Sequence, residues 1–136
     1  MASSFYAVGL KKIVDDGIAS LTPKVTLCLS SYSPDDQDTI TQVNAAKATL
    51  SGGDLAATLS SENDSGNTRI EVDVTNGPLT FSSVAGGQTI QYAVLYDDDT
   101  TDTPICYWDR GSGLATNGGD ITLTFDTTNG NIRLGY

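Results

Sequence analysis

The chain has 136 residues, enough for one domain, and carries 17 acidic against 7 basic side chains, a formal net charge of −10. It has no histidine, two cysteines far apart, and no basic cluster beyond Lys11-Lys12. That excludes a phosphate-gripping nucleic-acid surface, an anionic membrane surface and a zinc site built from closely spaced Cys and His ligands.

The opening residues predict an amphipathic helix over 1–18. Ser3 or Ser4 can cap it, and Gly17 is placed to stop it. Tyr6, Leu10, Ile13 and Val14 fall on one face and are the candidate interface residues, since such a face needs a docking partner. "TPKVTLCLSS" alternates through Val25, Leu27 and Leu29 as a half-buried strand. A connection follows, with a helical turn expected around Thr39 to Lys47. "DLAATLS" reads as one strand with Leu55, Ala57 and Leu59 on one face. "SENDSGN" reads as a turn.

"TRIEVDVTNGP" is the cleanest alternation, with Ile70, Val72 and Val74 inward. "LTFSSVAGG" holds a short strand with Leu79 and Phe81. "TIQYAVLY" is apolar on both faces, which predicts a central strand covered on both sides. "PICYWD" sets Ile105 and Tyr107 opposite Cys106 and Trp108, and "RGSGLATNGGDI" reads as a Gly-rich loop. "DITLTFD" alternates again. Asn129-Gly130 is a hairpin signal that would pair "IRLGY" back as the last strand. About seven short strands closed by turns, with one N-terminal helix, predict a single mainly-β domain spanning 1–136, an antiparallel β-sandwich.

The sharpest chemical question lies in "YAVLYDDDTTDTPICYWD", where Asp97, Asp98, Asp99 and Asp102 fall within six positions. A calcium site would draw on Asp97, Asp99 and Asp102, because Ca²⁺ takes oxygen ligands. The stretch lacks the glycine and glutamate of an EF-hand loop, and successive aspartates on a strand end point in alternate directions. It therefore reads as an acidic hairpin tip that faces solvent and discourages edge pairing. No catalytic set emerges. No serine has a histidine base, no lysine neighbours a glycine-flanked serine, and the Gly-rich turns lead into strands rather than helix N-termini. Cys28 and Cys106 read as free buried thiols, with a disulfide left open. No cofactor is expected.

"YAVLYDDDTTDTPICYWDRG" and "NGGDITLTFDTTNGNIRLGY", from about Gln91 to the end, resemble a family of small structural proteins of tailed bacteriophages. Weaker echoes lie in "KVTLCLSSYSPDDQDTI", "ATLSGGDLAATLS" and "LKKIVDDGI". Ser51 stands where the family usually has an aromatic residue, and Cys28 and Cys106 stand at aliphatic positions. The resemblance implies a virion component on the capsid exterior, a decoration or cement protein whose partner is the major capsid protein. A homotrimer is expected first and a dimer second, because closed homo-oligomers match capsid symmetry axes. The alternative is a head-surface or tail module that recognises host glycans through Tyr107, Trp108 and Asp109. No signal-peptide order of charge, apolar stretch and small residues is visible, so synthesis in the bacterial cytoplasm is expected.

Overall fold

The computed structural model describes residues 2–63, 69–125 and 132–135. Among the described residues strands far outnumber helical residues and the sheets are antiparallel, so the fold is mainly β. The strands are β1 (Ala2–Phe5), β2 (Pro23–Leu29), β3 (Leu55–Ala56), β4 (Leu59–Asn63), β5 (Arg69–Val74) and β6 (Leu79–Phe81). They continue with β7 (Thr89–Asp97), β8 (Thr103–Ala115), β9 (Ile121–Leu123) and β10 (Ile132–Gly135). Two helices, α1 (Ala7–Asp16) and α2 (Ile40–Ala46), complete the regular structure with a 3-10 turn at Ile18–Ser20.

The largest sheet runs β1-β8-β7-β2-β3, beside a three-stranded sheet β10-β5-β4 and a pair β6-β9. The doubly apolar "TIQYAVLY" becomes β7, the middle strand, as its pattern predicts. Its two faces meet different cores. Ala93 and Leu95 join Val25, Leu27, Cys106 and Trp108 in the main core, which also takes Val72 and Val74 from β5 and Leu79 and Phe81 from β6. All three sheets thus share one interior. Val94 points the other way, into a smaller cluster with Tyr6, Cys28, Tyr32 and Val43. Burying each of these large side chains contributes roughly 1.5–3 kcal/mol.

Several expectations change. The described residues form ten strands where about seven were expected, since the N-terminal segment also finds a ladder partner and one expected strand divides. Ser61 to Asn63, expected in a turn, extend β4 along β5. Residues 1–18 are not one helix: Ala2–Phe5 extend along β8, and Ser3 and Ser4 sit opposite Trp108 and Tyr107 as strand residues rather than caps. Tyr6 is the N-cap of α1 and makes no side-chain capping bond. The ladder hydrogen bonds offered by β8 override the helical periodicity in this stretch. "DLAATLS" is two strands, because the chain leaves β2 after Ala56 and joins β5 from Leu59. Hydrogen bonds from Ala57 N to Pro23 O and from Thr58 N to Asn76 Oδ1 hold that crossing.

β8 runs through "RGSGLA", which the glycines had suggested was loop. A register shift between Ile90 and Tyr92 absorbs the extra residues, and Gly111 supplies the positive φ of 83° that the bulge needs. Finally, β10 pairs with β5, and β9 pairs with β6, instead of the two forming a hairpin. Leu79 lies opposite Leu123, and Phe81 opposite Ile121, so β9 gains apolar cross-strand neighbours from β6. The Asn129-Gly130 turn lies outside the described residues. The helix expected near Thr39 forms as α2, with Gln42 Oε1 accepting bonds from Thr39 N and Oγ1.

Candidate functional site

The two strands flanking the aspartates, β7 and β8, pair as an antiparallel hairpin with "DDDTTD" at its turn, as expected. Asp97, Asp98 and Asp99 are partnered rather than free, although Asp99 at the tip is exposed. Asp97 is only 2% exposed and accepts a 2.6 Å hydrogen bond from Thr22 N. Lys12 Nζ lies 3.5 Å from Asp97 and 2.9 Å from Asp99. Lys24 Nζ lies 2.6 Å from Asp98. Asp99 Oδ1 also accepts from Thr101 N and Oγ1, closing the turn locally. Asp102 takes a positive φ of 41°, which Asp tolerates better than most residues.

The solvent-facing tip expected here is seen at Asp99 to Thr101, which are exposed, and is corrected only at its base, where Asp97 is buried. The hairpin is a clamp that holds α1 through Lys12 and β2 through Lys24. The bond from Lys12, then that from Thr101, holds the Asp99 carboxyl below the usual carboxylate range. Asp97 and Asp99 spend their carboxylate oxygens on Lys12, on Thr22 and on the turn. Among the described residues no group of three His, Cys, Asp or Glu side chains is arranged to hold a metal ion.

A further ion pair, apart from the hairpin aspartates, joins Lys47 and Asp54. Asp54 Oδ2 accepts from Lys47 Nζ and from Tyr96 Oη, both at 2.6 Å, and Lys47 Nζ sits 5.1 Å from the centre of the Tyr96 ring. Burial raises the Asp54 carboxyl, but the bonds from Lys47 and Tyr96 outweigh it and hold it below its ordinary value. Thr26 Oγ1 is buried within the field of this carboxylate yet closes no hydrogen bond of good geometry.

Both cysteines are free and buried. Burial pushes the Cys28 thiol up to about 12 and the Cys106 thiol up as well. A thiol kept protonated is a poor nucleophile.

The candidate interface residues also move. Tyr6 is fully buried, and its Oη lies 2.9 Å from Tyr32 Oη, which in turn donates to Asp38 Oδ2 at 2.8 Å. Ile13 is 8% exposed and packs into the main core. The apolar face of α1 thus docks on its own sheet at these two positions. Gly9 permits the close approach, since a Cβ there would sit 2.3 Å from Ile105 Cα. The side chains of Leu10 and Val14 lie outside the described residues.

The proposed glycan triad is split. Trp108 is 3% exposed, stacked edge-on against Phe125 at 5.3 Å in the main core. Tyr107 and Asp109 lie on the opposite face of β8. There they meet groups that the sequence reading missed. Tyr92 is the cross-strand partner of Asp109, and its ring lies 6.2 Å from that of Tyr107. Tyr32 meets Tyr92 edge-on at 5.7 Å, and Tyr6 meets Tyr107 at 5.5 Å. Asp109 Oδ1 accepts from Gln91 Nε2 at 3.0 Å and from Gly111 N at 2.7 Å.

Tyr92 and Tyr107 are half-buried, and Ile40 packs beside them. The result is a tyrosine array covering one side of the five-stranded sheet, with its deep members in the small core and its outer members at the surface. A signal was present in the spacing, since Tyr92 in "TIQYAVLY" and Tyr107 in "PICYWD" belong to strands expected to be neighbours. No family model, no curated protein and no solved structure matches the chain.

Proposed function

We propose that this protein is a virion structural protein of the capsid decoration type, which binds the outer capsid surface and stabilises the assembled shell. The sequence resemblance motivates the reading, and the tyrosine array carries it. Tyrosine buries large area at low conformational cost and is enriched at protein interfaces. Tyr92, Tyr107 and Ile40 form an outward patch backed by a fixed layer of Tyr6, Tyr32 and Val94. A preorganised patch loses little entropy on docking. Lys12 and Lys24 tie α1 and β2 to the β7–β8 hairpin through its aspartates, a cross-linking that suits a scaffold. The reading includes the major capsid protein as partner and a homotrimer as the assembled form.

A protein that binds only the assembled shell stabilises it by mass action. Capsids challenged with heat or denaturant should survive better with the protein than without it. Replacing both Tyr92 and Tyr107 by Ser should remove that protection while leaving the free domain folded. Equal survival with and without wild-type protein would sink the proposal.

A second reading keeps the same face. Tyr92 and Tyr107 beside Asp109 and Gln91 combine ring surface with hydrogen-bonding groups, the elements of a sugar-binding platform. Tyrosine fluorescence that responds to host polysaccharide, with no capsid protection, would favour this reading over decoration.

A further inference from the structure

On the other face of the five-stranded sheet, a groove of about 380 Å³ opens between the large sheet and β9. Leu27, Ile90, Leu114 of β8 and Ile121 and Leu123 of β9 supply its apolar lining, and Arg110, Tyr92 and two β9-side threonines supply polar groups. We infer that this groove binds a single-chain acyl carboxylate, with the chain between the sheets and the carboxylate on Arg110. The groove meets the tyrosine face at Gln91 and Tyr92, but its apolar lining is separate from the Tyr107 and Ile40 patch, and the inference does not depend on the decoration reading.

Three observations select this occupant. The lining is mostly apolar, so a hydrocarbon chain laid on its aliphatic part gains about 0.8 kcal/mol for each methylene buried. The volume matches about a dozen groups of water size, room for a single short chain. Arg110 is the complementary charge. Lys12, Lys24 and Lys47 each pair with an aspartate, whereas Arg110, among the described residues, bonds only Ser112 O and Oγ at 3.0 and 2.9 Å. Its guanidinium offers five N–H donors in a fork suited to a carboxylate. A polyphosphate ligand would meet a chain of net charge −10 with one guanidinium to hold it.

Octanoate and its neutral isostere octanamide test the assignment on the full chain, followed by methyl NMR. Octanoate should shift the methyls of Leu27, Ile90, Leu114, Ile121 and Leu123 and should bind more tightly than octanamide. Arg110→Gln should weaken octanoate about tenfold and leave octanamide unchanged, as expected for loss of a charge-assisted contact. Leu114→Trp, which fills the groove, should abolish binding of both while the remaining spectrum stays folded. Absent or scattered methyl shifts, or octanoate binding that survives Leu114→Trp, would overturn the site. Equal affinity for the two probes would overturn the role of Arg110.

Discussion

Gly9 offers the clearest test of how α1 is seated. A methyl at this position would meet Ile105 Cα at 2.3 Å, Pro104 O at 2.4 Å and Ile105 O at 2.7 Å. All three atoms are backbone, so no change of rotamer relieves the clash. The helix would have to lift until the shortest contact reaches at least 3.4 Å. Lifting loosens Ile13 from the main core and draws Lys12 from Asp97 and Asp99. Helix propensity pulls the other way, since Ala is favoured over Gly by about 1 kcal/mol in a helix interior. Overpacking of a rigid contact costs about 1–3 kcal/mol, and part of the burial of one isoleucine adds about 1 kcal/mol. The net expectation for Gly9→Ala is a loss of about 2 kcal/mol.

Urea denaturation with unchanged slope should read that loss as a midpoint lowered by about 1 M. Gly52→Ala is the control, because nothing lies within 4 Å of its added methyl and its φ is not positive. It should be neutral or gain up to about 1 kcal/mol. A Gly9→Ala protein as stable as wild type, or more so, would refute the seating of α1 on β8.

Two further outcomes follow from the acidic hairpin. Asp97→Asn should cost about 1.5–3 kcal/mol, because it weakens a buried charged acceptor, whereas Asp102→Asn should stay within about 0.5 kcal/mol. Similar urea midpoints for the two variants would contradict the clamp. The carboxyls of Asp54 and Asp99 sit below the ordinary carboxylate value of about 3.9, so their contribution is complete above that pH and is lost as pH falls through the lower folded values. Lys12→Gln should therefore destabilise the protein at pH 6 and much less at about pH 2, read as converging urea midpoints; a gap independent of pH would argue against the Lys12 pairing.

Local pattern alone determined much of this protein. Period-2 alternation marked β2, β5 and β9, and the doubly apolar run marked β7 as central, because side-chain direction along a strand is a local property. The turn between β7 and β8 was legible for the same reason. Which strands pair was decided elsewhere. β9 meets β6, β10 meets β5, and Ala2–Phe5 leave the helical pattern to extend along β8, because pairing depends on which apolar faces and free ladder edges meet in space.

The candidate site divides in the same way. The residue types that build the tyrosine face stood in neighbouring strands, but Trp108 and Tyr107 part company because adjacent strand residues face opposite sides of the sheet. The aspartates looked like a solvated tip from composition. Only the tertiary structure brings Lys12 from α1 and Lys24 from β2 against them, across separations in sequence that no local pattern encodes.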